Sequence, residues 1–172
     1  MIDTIKNPRS VLHALQPMGL GTGDVESLLS YFCRLAVSHS TSTLSLSRTV
    51  AQRFQHDVDR NFDWHERQLS GIRESALTWS SALSAMTSVS RLDRLTFLPW
   101  RNVISQNGLS MVSKGQFCPQ CLAEDQAAGR SPYYRLAWES KAVSVCHIHG
   151  TRLTQHCPSC GKDNIRHAAA FV

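Results

Sequence analysis

The chain has 172 residues, 42% of them apolar, and carries a formal charge of +5 with a pI near 9.1. That is enough for one ordinary domain or two small ones with a core. No run approaches the roughly 18 apolar residues of a membrane span, and the opening MIDTIKNPRS lacks the apolar region of a signal peptide. A basic excess this small permits contact with nucleic acid or an acidic protein surface without demanding either.

Residues 1–23 read as an extended lead-in broken by Pro8, Pro17, Gly19, Gly21 and Gly23, with Val11–Leu15 as a short apolar piece that adds a strand or docks on another body. Asp24 is the expected N-cap of a first helix, ESLLSYFCRLAVSH, with Glu26 in its first turn. Leu28, Leu29, Phe32, Leu35 and Ala36 share one face, and Cys33 beside them reads as a buried small apolar residue. Ser38–Ser42 reads as a turn and Thr43–Gln55 as a second helix bearing Arg48 and Arg53. Two short helices joined by a polar turn outline a helix-turn-helix, and equally an ordinary helical hairpin with solvated arginines.

Residues 56–67 mix charge with Phe62 and Trp64, and the adjacent Asp63, His65 and Glu66 read as surface, not as a catalytic group. A third helix is expected over Gln68–Ser88, with Leu69, Ile72, Ala76, Leu77, Leu83 and Met86 in the core. Ser90 then caps a short helix RLDRL, TFLPWRNVI crosses as an extended segment, and Asn107-Gly108 marks a tight turn. Arg48, Arg53, Arg60, Arg67 and Arg73 are the candidates for nucleic-acid or partner contact.

The last third holds five of the six cysteines. Cys118-x-x-Cys121 is followed after 24 residues by Cys146-x-x-His149, two knuckles whose thiolate and imidazole ligands can close a tetrahedron around structural zinc. Pro119 stiffens the first knuckle and Gly150 eases the exit from the second. A third pair, Cys157-x-x-Cys160, comes after seven more residues and is half of a second site, with His156, His167 or His147 as completing ligands if it holds metal at all. Leu122–Ala128 reads as helical turns ending at Gly129. Tyr134-x-Leu136-x-Trp138, alternating with Arg135, Ala137 and Glu139, reads as a half-buried strand, with further strands at Val143–Val145 and Thr151–Gln155. The spacings favour metal over disulfides.

Four protein ligands saturate zinc and leave no position for a substrate. The His-x-Glu with Pro-Cys-x-x-Cys of a zinc deaminase is missing, as are His-Glu-x-x-His and a phosphate-cradling glycine loop. The acidic residues are scattered, which argues against a metal-dependent nuclease. No enzymatic activity is expected.

FCPQCLAED, YYRLAWE and VCHIHGTRLTQHCPSCG, in that order, resemble the signature of the TniQ/TnsD family of transposition target-selection proteins. VESLLSYFCRLA resembles the family's opening helix, with Asp24-Val25 where a Gly usually precedes the Glu, and LSAMTSVSRLDRLTF resembles its helical middle. The resemblance implies a mostly α N-terminal helix-turn-helix region, residues 1–110, followed by a small α+β zinc-ribbon module, residues 111–172. It implies a non-enzymatic adaptor linking a target complex to an AAA+ ATPase regulator of TnsC or TniB type that recruits the transposase. Target choice is by DNA reading, as in TnsD-like members, or through an RNA-guided effector. The alternative is a stand-alone zinc-containing helix-turn-helix DNA-binding regulator. Carried over residue by residue, Cys118, Cys121, Cys146 and His149 match the family's zinc ligands, and Cys157 and Cys160 match the first half of its second ribbon, whose other half is missing here. The expected setting is the bacterial cytoplasm, at the nucleoid when active, with no membrane partner and with a homodimer allowed.

Overall fold

The computed structural model describes residues 10–54, 69–104, 109–112 and 115–162. The charged stretch 56–67 with Arg60 and Arg67, the Asn107-Gly108 turn and His167 lie outside them. Three helices form the first body: α1 (Leu28–Ser38), α2 (Thr43–Arg53) and α3 (Glu74–Thr87). A fourth, α4 (Pro119–Ala127), opens the last third. Among the described residues, no helix is long and apolar enough to cross a membrane.

Serines set the first two helix starts. Ser27 Oγ accepts from the Ser30 amide and Ser42 Oγ from the Ser45 amide, each at 3.1 Å. The expected cap Asp24 therefore lies outside α1, whose cap is Ser27. The predicted stripe Leu28, Leu29, Phe32, Leu35 and Ala36 is buried, and so is Cys33. From α2, Leu46 and Val50 join the same core, and from α3, Trp79, Ala82, Leu83 and Met86. Phe32 and Trp79 meet edge to face, ring centroids 5.8 Å apart. Leu77, expected inside, is 39% exposed, because Trp79 and Ala82 define the buried face instead. Helix α3 begins at Glu74, since residues 71–73 are a bend. The lead-in docks on the helices through several contacts, among them the Leu12 amide donating to the Met86 carbonyl at 2.9 Å and the Tyr31 hydroxyl donating to the Leu15 carbonyl at 2.9 Å.

Beyond α3 two expectations fail. Ser90 does not cap the next turn. The N-cap is Arg91, in the left-handed region at φ 65°, and Leu92–Leu95 forms a 3-10 turn with both leucines fully buried. TFLPWRNVI is compact, not extended: Leu98–Trp100 is a second 3-10 turn, with Pro in its first turn, and the Val103 and Ile104 amides donate back to the Trp100 carbonyl.

The predicted strand through Tyr134–Trp138 is also corrected. Arg135 makes one antiparallel bridge with Glu26, and Leu136–Glu139 then coils into a 3-10 turn. Arg135 and Glu139, expected to face water, are buried. The Ser27 amide donates to the Tyr134 carbonyl at 2.9 Å, the Leu136 amide to the Val25 carbonyl at 2.7 Å, and the Tyr134 amide to Ser30 Oγ at 3.0 Å. This seam ties the last third to the start of α1. Elsewhere in that third, the pairing includes isolated bridges of Met111 with Ser140, Phe117 with Thr154 and Val145 with Arg152.

Two carboxylates anchor the seam. Glu26 is fully buried and takes both Nε and Nη2 of Arg34, at 2.7 and 2.9 Å, together with the Ser30 hydroxyl and the Met18 amide. Asp125 on α4 receives both terminal nitrogens of Arg135, at 2.6 and 3.1 Å, while that guanidinium lies 4.0 Å from the Tyr133 ring centroid and 4.9 Å from that of Trp138. Removing one partner of a buried pair strands the other charge and costs roughly 3–5 kcal/mol. Asp125→Ala is accordingly expected to lower unfolding stability by about that amount, read from the urea midpoint at unchanged m.

Candidate metal centre

Each half of the cluster is presented by a different local device. Cys118 is the N-cap of α4 with Pro119 as the first helical residue, so Cys121 falls on the first turn, where the helix dipole favours thiolate. The helix therefore starts within the knuckle, not behind it. Cys146–Thr151 is a closed loop: the Cys146 amide donates to the Thr151 carbonyl and the Gly150 amide to the Cys146 carbonyl, each at 2.8 Å, with Gly150 at φ 63°. The left-handed residue is needed to reverse the chain there, which glycine does without a Cβ clash.

These devices bring Cys118, Cys121, Cys146 and His149 together, with all donor atoms within 4.8 Å of one another. Cys121 Sγ lies 3.6 Å from Cys146 Sγ, and His149 Nδ1 lies 3.4 Å from the sulfurs of Cys118 and Cys121 and 3.6 Å from that of Cys146. A tetrahedral zinc with Zn–S near 2.3 Å and Zn–N near 2.0 Å sets its donors roughly 3.5–3.8 Å apart. The cluster is close to that spacing, and its three sulfurs and one imidazole are a zinc donor set. All three cysteines are buried.

Glu124, one turn beyond Cys121, completes the site and was not singled out from the sequence. His149 turns Nδ1 toward the sulfurs and Nε2 toward Glu124, 2.9 Å from its Oε1. A carboxylate on the outer nitrogen fixes ring orientation and raises the basicity of the inner one. The legible signal was the Cys-x-x-Cys-x-x-Glu spacing, which sets Glu124 on the helix turn that carries Cys121.

Burial pushes up both the Cys118 and the Cys121 thiol; beside Cys118 this is outweighed by the Cys121 amide and the Thr151 hydroxyl, which hold it down at about 7. Burial and then the Cys146 thiol push Cys121 well above the ordinary thiol range. Glu124 first, then Cys146, hold His149 up at about 9. The metal-free imidazole is thus cationic at neutral pH and its pairing with Glu124 fades only as pH rises through about 9. Metal ligation has the opposite sign, since it requires the imidazole neutral and the sulfurs as thiolates.

Cys157 and Cys160 are not part of this cluster. Their loop nevertheless repeats the second knuckle: the Cys157 amide donates to the Lys162 carbonyl at 2.9 Å and the Gly161 amide to the Cys157 carbonyl at 2.8 Å, with Gly161 at φ 68°. His156 is exposed, and His147 Nε2 sits 3.5 Å from Asp24 Oδ1. Of the arginines expected at a contact surface, Arg48, Arg53 and Arg73 are exposed.

Two outcomes follow from this geometry. Glu124→Gln should weaken metal binding by about 10- to 100-fold in chelator competition while the fold persists. Metal uptake at neutral pH should release protons, with affinity climbing as pH rises, read with an indicator dye. Among known proteins, no curated sequence matches the chain. The family model TniQ matches residues 17–153, from the segment before α1 through both halves of the metal cluster, and the chain belongs to the TniQ family.

Proposed function

We propose that this chain is a non-enzymatic target-selection adaptor in DNA transposition. It links a DNA- or RNA-guided target complex to an AAA+ ATPase regulator of TnsC or TniB type, which recruits the transposase. The observation that carries this reading is the TniQ match across most of the chain. The centre supports it, since four protein donors fill a tetrahedral ion and leave no site for a substrate or an activated water. The ion is zinc at Cys118, Cys121, Cys146 and His149, and its role is to shape a docking surface. The adaptor acts by placement: holding two partners in one geometry raises their effective concentration at a chosen site.

In this reading residues 1–110 supply a helix-turn-helix, α1 and α2, and residues 111–172 a zinc module. Arg48, Arg53 and Arg73, with Arg60 and Arg67 of the segment between, meet nucleic acid or partner. Cys157 and Cys160 form a ready half-site for a second zinc, completed by ligands from elsewhere. The exposed arginines of α2 also favour the alternative, a stand-alone zinc-containing DNA-binding regulator.

Co-purification separates the two. The adaptor is retained by a cognate AAA+ regulator in the presence of target complex. The stand-alone regulator gives a defined duplex footprint with steep salt dependence and no ATPase requirement. No retention at low salt with target complex present counts against the adaptor. Chelation, or Cys118→Ser, is expected to unfold the last third, seen as new proteolytic cleavage after Phe117. Unchanged proteolysis after verified metal removal would contradict a structural ion.

A further inference from the structure

Residues 24–27 are held from both halves of the metal cluster. The first hold runs through α4. Cys121 and Asp125 stand four residues apart on one face of that helix, so the turn that presents a sulfur to the ion also presents the carboxylate that grips Arg135. Arg135 bridges Glu26 through its backbone, while the Leu136 amide donates to the Val25 carbonyl and the Ser27 amide to the Tyr134 carbonyl. The second hold comes from the Cys146–His149 knuckle. His147, between the two ligands, sets Nε2 3.5 Å from Asp24 Oδ1 and lies against Gly23, where an added Cβ would stand 3.9 Å from the same nitrogen.

The segment so held is itself a closed turn. Gly19 sits at φ 65°, and a Cβ there would collide with the Asp24 carbonyl, so glycine is what lets the chain close. The Thr22 amide donates to the Gly19 carbonyl and the Asp24 amide to Thr22 Oγ1, each at 3.1 Å. This turn delivers Ser27, the N-cap of α1, and then Ser30, whose hydroxyl donates to Glu26 and accepts from the Tyr134 amide. Helix α1 therefore starts on bonds whose other ends belong to the metal module. The two knuckles lie 24 residues apart in the chain and converge at the four donors. An ion held by all four fixes α4 against the second knuckle, and residues 24–27 need both in place. Linkage of this kind is reciprocal: if loading stabilises the seam, an intact seam tightens metal binding by the same factor.

We propose that metal loading and the docking of the first turn of α1 on residues 133–139 form one cooperative unit, so that occupancy of the cluster decides whether the α1–α2 pair is fixed to the last third. For an adaptor that acts by holding partners in one geometry, the ion then governs that geometry. The inference rests on the reading of Cys118, Cys121, Cys146 and His149 as a metal centre and stands without the ATPase partnership.

The test compares the zinc-loaded and chelated full chain by hydrogen exchange with mass spectrometry, with zinc content measured beside Cys118→Ser to count the ion at this cluster. Chelation is expected to speed exchange in residues 25–31 and 133–137 together with the knuckles, while residues 79–86 of α3 keep their protection. In the other direction, Ser30→Ala and Gly19→Ala, neither of them at a ligand, should each weaken zinc about fivefold or more in chelator competition. Val50→Ala, a core loss on α2 away from the seam, should leave zinc affinity unchanged. Far-UV circular dichroism of the loaded protein verifies each variant's fold, and the exchange comparison needs no variant at all. Zinc bound at the cluster with exchange in residues 25–31 indifferent to chelation overturns the coupling alone, as do seam variants that hold zinc as tightly as the unaltered chain. Zinc content unchanged by Cys118→Ser overturns the metal reading as well. Loss of protection throughout α3 on chelation makes the ion a support of the entire fold and overturns a unit bounded at the seam.

Discussion

Four donor atoms gathered within 4.8 Å are the constraint on which the last third of the chain rests. The apolar core around them is small: fully half of its buried members are the cysteines, beside Phe117, Trp138 and Leu153. Such a core is small against the ordering entropy of several loops, a cost that an ion held by the four donors would help to offset. Structural zinc provides about 10–16 kcal/mol at neutral pH, a contribution of the right size for a module whose strand pairing amounts to isolated bridges.

The metal module does not stand apart from the helices. Residues 133–139 lie along the segment that leads into α1, and their amides and carbonyls pair with Val25, Ser27 and Ser30. Glu26 with Arg34 and Asp125 with Arg135 place two buried ion pairs on this seam. Arg135 links the levels: its backbone bridges to Glu26, its guanidinium is held by α4 of the metal module, and its flat faces lie against Tyr133 and Trp138. A lysine could supply the charge but neither the fork nor the stacking. The RLAW segment that carried the family resemblance is the segment that makes this junction.

Charge is divided in a comparable way. Arginines that serve the fold, Arg34 and Arg135, are paired with buried carboxylates. Those on α2 and on the turns after α3 are exposed.

Periodicity and spacing alone were enough for α1, α2 and the gathering of Cys118, Cys121, Cys146 and His149, because a 3.6-residue apolar stripe and a Cys-x-x-Cys or Cys-x-x-His knuckle are local constraints written in consecutive residues. They were also enough to direct Cys33 into the core. The tertiary structure decided what depends on partners far along the chain. Alternation at Tyr134–Trp138 suggests a strand facing water, yet Asp125 and Glu26 make burial of Arg135 and a tight turn the better solution. Leu77 lost its core place to Trp79. Glu124 acquired a role only when α4 met the His149 knuckle, and the arginines of the 91–101 turns gathered only when that segment folded back on α3, because a side chain's neighbours across the fold are not encoded at any fixed spacing in the sequence.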